Sequence, residues 1–196
     1  FNLLTGYSRH ASWQHLGVAP LNLRERFLEL INNEIEHQKA GRQGHIIAKM
    51  NALIDQRIIK ALYAASMAGV KIDLLVRGVC ALRPGIPGVS DTITVTSILD
   101  RFLEHSRIYW FRNGGDERVF ISSADWMNRN LERRIEILFP VFDTKVRKRL
   151  RDLLALYLSD DVKARVLQSD GSYVRRTPGA APLRVQADLL ASAKRK

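Results

Sequence analysis

Cysteine is almost absent from this chain: Cys80 is the only one among 196 residues. An internal disulfide and a cysteine-based zinc cluster are thereby excluded, and a reducing, cytoplasmic setting is expected. Acidic residues are few beside basic ones, 20 Asp and Glu against 31 Lys and Arg, for a net charge of +11. Such an excess predicts an anionic partner: nucleic acid, a nucleotide, another phosphate-rich polyanion or an acidic membrane surface. No apolar run approaches the ~18 residues of a membrane helix, and no charged-then-apolar signal segment opens the chain. The first residue is Phe1, not Met, so a piece of a larger intracellular protein is expected. The five histidines show no H-E-x-x-H spacing and suggest no zinc site.

What is present suits one soluble domain. Apolar residues make up 46% and charged residues 26%, enough for a proper core at this length. Residues 1–20 have no sustained period and read as a linker. Asn22 then opens a helix, with Glu25 three residues on as in a capping box, and with Leu23, Phe27, Leu30, Ile31 and Ile35 on one face. His45–Met50 (HIIAKM) reads as a buried strand. Asp55 caps a second helix whose stripe is Ile58, Ile59, Leu62 and Tyr63, closed by Gly69. Val70–Val76 (VKIDLLV) is the next strand, so a parallel strand–helix–strand unit is expected. Ala81–Val95, with two prolines and two glycines, reads as a loop, and Ile98–Leu103 as a short helix. It is not a P-loop, because the Gly-Lys-Ser/Thr ending is missing.

The chain is organised around Arg101–Phe142. Ile108/Trp110 and Ile135/Ile137 alternate with the period of half-buried strands, and Arg112–Asp116 is a hairpin turn signal. Asp143 or Thr144 caps a helix with Val146, Leu150, Leu153, Leu154 and Tyr157 on one face and a basic, solvated face of Lys145, Arg147, Lys148, Arg149 and Arg151. Short strands at Ala164–Leu167 and Tyr173–Arg176 and a helix from about Val185 complete an α/β chain, a mixed sheet with helices on its faces. The expected organisation is a linker over 1–20, a lobe over 21–158 and a basic extension of the same domain over 159–196.

The candidate chemistry lies at strand ends. Lys49 and Asn51 end the first strand and Arg77 the second, where open α/β sheets bind ligands. Together they would cradle a phosphate; singly, Lys49 reads as a solvated strand end and Arg77 as a partner of Asp73 or Glu104. His105 and Arg107 share a face of an extended chain, and Ser123, Asn128 and Arg134 are expected to gather around the imidazole. A histidine in such company can act as a nucleophile or general acid toward a phosphoryl group. His10, His15, His37 and His45 lack such neighbours. Trp110 and Trp126 read as core.

These residues carry a resemblance. His105-Ser106-Arg107, with Ser122-Ser123-Ala124-Asp125-Trp126-Met127-Asn128-Arg129-Asn130, resembles half of a phospholipase D-type active site, where the motif is His-x-Lys with a later Gly/Ser-Ser-Ala-Asn. Arg107 stands in the lysine position, which counts against an ordinary phosphodiesterase. The blocks IIAKMNALID, VKIDLLVRGVCALRPGIPG, FLEHSRIYWFRNGGDERVFISSADWMNRNLERRIE and SDDVKAR are similar, in order, to the C-terminal region of the polyphosphate kinase family, and the similarity runs from about Thr5 to nearly the end.

The resemblance implies a phospholipase D-like fold and reversible transfer of the terminal phosphate of ATP to polyphosphate through a phosphohistidine. It implies Mg2+, with the phosphohistidine and the main magnesium ligands in a preceding lobe. His105 corresponds to the second lobe's phosphate-contacting histidine, Arg77 to an ATP-binding arginine and Arg134 to a phosphate-contacting one. Lys49 and Asn51 correspond to a strand-end pair, and Asn128 joins the phosphate-binding set. Implied partners are ATP or ADP, polyphosphate, the preceding lobe and other copies of the full-length enzyme, with peripheral membrane association of that enzyme left open. The isolated chain is expected to bind polyanions without turning over ATP. Two rivals stand beside this reading: a phospholipase D-like nuclease or phosphodiesterase half-site completed by dimerisation, and a non-catalytic polyanion-binding module.

Overall fold

The computed structural model describes residues 13–194. Among the described residues nine strands form one mixed sheet: β1 (Gly17–Ala19), β2 (His45–Met50), β3 (Lys71–Val76), β4 (Ile93–Ile98), β5 (Ile108–Phe111), β6 (Arg118–Ser122), β7 (Glu136–Pro140), β8 (Ala164–Leu167) and β9 (Tyr173–Arg175). Five helices join them: α1 (Leu23–Lys39), α2 (Gln56–Met67), α3 (Asn128–Glu132), α4 (Thr144–Leu158) and α5 (Val185–Ala193). The sheet order is β1-β7-β6-β5-β2-β3-β4-β8-β9. Its centre, β2-β3-β4, is parallel, and every other pairing is antiparallel. The α/β class, the parallel unit and the hairpin are thus as the sequence indicates.

Side chains alternate across the sheet as the pleat requires. Ile46, Ala48, Ile72, Leu74, Tyr109 and Phe111 face the layer of α1 and α2. Ile47, Leu75, Ile108 and Trp110 face the layer of α4 and α5, where Leu154, Tyr157 and Val185 meet them. At the centre of the first layer Trp126 stacks on Tyr109 with centroids 5.1 Å apart and meets Phe27 edge-on at 5.5 Å. All three rings are fully buried, so Phe27→Ala would cost about 3–5 kcal/mol. Asp55 caps α2 by accepting from the Ile58 N–H at 3.0 Å, and Gly69, at φ +89, supplies the left-handed residue after the helix end.

Several expectations fail, each for a physical reason. Ile93–Ile98 is strand β4 rather than loop and helix: Ile93 to Thr96 pair parallel to β3, with Ile93 and Val95 turned into the core. Residues 99–107 contain no helix. Asn22 makes no capping bond into α1; its Oδ1 instead accepts the Val18 N–H at 2.7 Å, closing a turn behind the helix. Ile135 and Ile137 lie on the exposed side, while Glu136 and Leu138 point inward. Buried Asn130 donates to Glu136 at 2.8 Å, which satisfies that inward carboxylate. Within the stretch read as linker, Gly17–Ala19 pairs with Glu136–Leu138; residues 1–12 lie outside the described residues. β8 and β9 extend the main sheet at the opposite edge.

Candidate active site

The parallel strands β2, β3 and β4 end together, and the chain leaves β4 at Ile98, crosses their ends and re-enters the sheet at Ile108, opposite Lys49. Those ends therefore gather Lys49, Asn51, Arg77 and the segment carrying His105, where open sheets bind ligands.

One polar chain links three of the candidates. Asp125, buried, accepts the Asn51 backbone N–H at 2.7 Å and the Asn51 amide at 3.2 and 3.3 Å. Arg107 grips the same carboxylate from Nε at 2.9 Å and Nη2 at 3.1 Å. Burial alone lowers the Arg107 pKa, but the Asp125 contact outweighs it and the guanidinium sits above its ordinary value. Asn51 then turns its Oδ1 to Arg77, which donates from Nε at 2.6 Å. The amide is thereby oriented, oxygen to the cation and nitrogen to the anion. Gly78 closes this corner. Its N–H donates to the Asn51 carbonyl at 2.8 Å, and an added Cβ would lie 2.8 Å from that same oxygen.

Arg77 pairs with neither Asp73 nor Glu104, and its two Nη nitrogens make no hydrogen bond among the described residues. Lys49 has the opposite fate. It is buried rather than a solvated strand end, its ammonium 2.8 Å from Glu104 and 2.9 Å from Ser106 Oγ, over the Tyr157 ring. Burial pushes the Glu104 carboxyl up, yet hydrogen bonds from Lys49 and Tyr157 outweigh this and hold it below its ordinary value. Burial and that carboxylate push the Tyr157 phenol well up. Lys49 is therefore committed within the fold rather than offered as an open donor.

His105 is exposed, and its ring makes no hydrogen bond to Ser123, Asn128 or Arg134 among the described residues. Ser122 and Ser123 instead stitch the end of β6 to β7: Ser122 Oγ donates to the Ile137 carbonyl at 2.6 Å, and Ser123 Oγ accepts the Ile137 N–H at 3.0 Å. Asn128 begins α3 and is exposed. Arg134, half exposed, lies 4.0 Å from Glu136, whose carboxylate is already taken by Asn130. The sequence offers Glu104 only as a partner for Arg77 and does not point to Asp125 or Tyr157 as members of this cluster. His45, given no role, pairs with Asp73 at 2.7 Å at the far end of β2 and β3.

The site is an open shelf. A cavity of about 20 Å3 lies beneath it, between Lys49, Leu75, Arg77, Thr96 and Tyr157, room for one water and not for a nucleotide. A larger cavity of about 420 Å3 sits elsewhere, by the hairpin turn between Arg118, Phe142 and Arg147. Among the described residues, no three His, Cys, Asp or Glu side chains gather as a metal site. No helix is long and apolar enough to cross a membrane among those residues.

Known proteins resemble this chain in sequence and in fold. Residues 16–186 match the family model described as polyphosphate kinase C-terminal domain 2. The chain is 58% identical over 191 residues to a polyphosphate kinase of Rhodopirellula baltica, covering 96% of this chain and 22% of that protein. It is 53% identical over 197 residues to one of Halalkalibacterium halodurans, covering 100% of this chain and 28% of that protein. The crystal structure of polyphosphate kinase from Porphyromonas gingivalis superposes with a TM-score of 0.93 at 44% identity, covering 98% of this chain and 30% of that one. A phospholipase D family member from Salmonella typhimurium, Nuc, shares the fold at a TM-score of 0.58 and 14% identity, over 79% of this chain and 97% of that one. The chain spans only 22% and 28% of the length of those two curated relatives.

Proposed function

This chain belongs to the polyphosphate kinase family, a family of phosphotransferases, and matches its phospholipase D-like C-terminal domain; on that premise we propose that it supplies one side of a shared phosphoryl-transfer site. In this reading the terminal phosphate of ATP passes reversibly to polyphosphate through a phosphohistidine on a preceding lobe. The lobe in this reading includes β1, β8, β9 and α5, which share its sheet and its second core.

The observation that carries the reading is the contrast between committed and uncommitted cations. Lys49 is neutralised by Glu104 and Arg107 by Asp125. Arg77 has no carboxylate partner among the described residues, and Arg134 has only a distant one. Beside them stands the exposed His105. An available guanidinium group at the ends of the parallel strands, an exposed imidazole on the segment that crosses them and a second guanidinium ahead of β7 suit an anion with spread charge, which is the main demand of phosphoryl transfer. Arg77 binds phosphate oxygens with its Nη pair while Asn51 holds its Nε. Arg134 contacts a second phosphate, with Asn128 nearby in sequence on α3. His105 donates a hydrogen bond or a proton to a phosphate oxygen.

Magnesium that arrives with ATP would neutralise part of the phosphate charge. Glu104 and Asp125 do not fit as its ligands, because each is already bound to a cation. The open shelf favours a second wall from the preceding lobe, since nucleotide pockets run to roughly 300–1,000 Å3.

Titration of the chain with polyphosphate and with ATP-magnesium tests the reading. His105→Ala and Arg77→Ala should each weaken binding about tenfold, or about 1.4 kcal/mol, and Arg149→Ala on the solvated face of α4 much less. Equal affinities in all variants, removed alike by salt, would reduce the binding to diffuse surface charge. ATP-dependent polyphosphate synthesis by this chain alone would overturn the shared site.

A further inference from the structure

Residues 99–107 have no ladder of their own, yet they are tied down at every second residue. Asp100 accepts two bonds from Arg184, at 2.8 and 2.6 Å. Phe102 is held through its backbone: its N–H donates to Gln186 Oε1 at 2.7 Å and its carbonyl accepts from Gln186 Nε2 at 2.9 Å. Glu104 takes Lys49 at 2.8 Å, Tyr157 at 2.6 Å and Gln186 at 2.7 Å. Ser106 accepts from Lys49 at 2.9 Å. Arg101, Leu103 and His105 between them are exposed, and so are the Phe102 ring and Ser106, so the segment lies on the surface and these anchors hold it there.

We propose that Glu104 is a positioning residue for His105, and that Gln186 on α5 is the latch that holds the segment against the sheet. The inference rests on the phosphate-contacting role proposed for His105. The imidazole has no hydrogen bond of its own among the described residues, so its location is set through the backbone: the His105 carbonyl accepts from Arg107 Nη1 at 3.0 Å, and Glu104 and Ser106 on either side are anchored to Lys49. Glu104 spends both oxygens on β2, α4 and α5, and buried Gln186 uses its oxygen and its nitrogen on this segment alone. Helix α5 does not need those bonds to stay seated, because Val185, Leu183 and Leu189 pack into the second core. A segment released from such anchors gains freedom at little cost to the rest of the fold.

The test uses the whole chain with nitrogen-15 histidine side chains observed by NMR, alongside polyphosphate titration and thermal unfolding. The variants are Gln186→Met, which keeps the volume and loses the bonds, and Glu104→Gln; Ser192→Ala on the exposed side of α5 is the control. The expected result is a broadened or doubled His105 resonance in both variants and polyphosphate affinity lowered about tenfold, about 1.4 kcal/mol. Gln186→Met should unfold close to the wild-type temperature, and the control should match wild type throughout. A single sharp His105 resonance with wild-type affinity in both variants would overturn the latch. Should Glu104→Gln not fold, Tyr157→Phe replaces it, with a smaller change of the same direction expected and no change counting against the proposal. The two readings separate cleanly. If the resonance responds but His105→Ala binds polyphosphate normally, the latch stands and the phosphate role falls. If His105→Ala loses binding while the resonance ignores both variants, the phosphate role stands and the latch falls.

Discussion

Arg107 and Asp125 are joined by two bonds, Nε to Oδ1 at 2.9 Å and Nη2 to Oδ2 at 3.1 Å. The arginine in the lysine position of the phospholipase D motif is thus turned to a buried carboxylate. Removing it leaves that charge with only the Asn51 donors. Arg107→Ala should therefore cost about 3 kcal/mol in urea unfolding. Arg107→Lys, which keeps the charge but not the fork, should cost less than half of that. Equal stability of all three proteins would mean that the pair contributes nothing to the fold.

Asn51 is the hinge between this pair and Arg77. Asn51→Ala should leave Arg77 in place but unheld, weakening polyphosphate binding severalfold with a stability loss of about 1–2 kcal/mol. Gly78→Ala presses the same corner from behind, since the new Cβ would meet the Asn51 carbonyl at 2.8 Å. It should cost about 1–3 kcal/mol and weaken binding in parallel. Normal binding in both variants would detach Asn51 from the site.

Acid stability should depend on Asp73. Burial pushes its carboxyl up, but the His45 hydrogen bond and the Lys71 charge outweigh it, leaving it below the ordinary 3.8. A carboxyl that titrates lower when folded stabilises the fold above its unfolded pKa and loses that contribution as pH falls through the folded value. Glu104 has the same sign. Glu34 has the opposite one: burial raises it above 4.5, so its cost is relieved as pH falls through the raised value. Unfolding temperature should fall below about pH 4, and Asp73→Asn should start lower at pH 7 and fall less steeply. Parallel curves would remove Asp73 from the acid limb.

Asp55 both caps α2 and accepts Arg24 at 2.9 Å while almost fully buried. Asp55→Ala should cost about 2–3 kcal/mol, more than a surface cap, because Arg24 also loses a partner. Chemical denaturation checks this, with Arg24→Ala expected to account for part of the loss.

The elements that the sequence reveals are those whose signal is local. α1, α2 and α4 show their stripes, two of them show their aspartate caps, and β2 and β3 show continuous apolar runs. β4 is hidden because Pro84, Gly85, Pro87 and Gly88 precede it and draw the eye to a loop. β1 is three residues long, and its partner lies at Glu136–Leu138. Alternation in β7 gives two faces without saying which is inward; Asn130 decides it by receiving Glu136. The strand-end gathering of Lys49, Asn51 and Arg77 is readable from topology. The division of labour among them is not, because Lys49 is committed by Glu104 and Tyr157, and Arg77 is spared by Asn51, through contacts between residues far apart in the sequence.

The anchors of residues 100–106 measure out the chain between them. Asp100 is held by Arg184, Phe102 by Gln186, and Glu104 by Lys49 and Tyr157. Deleting a residue between Asp100 and Glu104 would put one of these contacts out of reach. A connection between two strands is ordinarily where length is free to vary; here the span is fixed from α5 on one side and from β2 and α4 on the other.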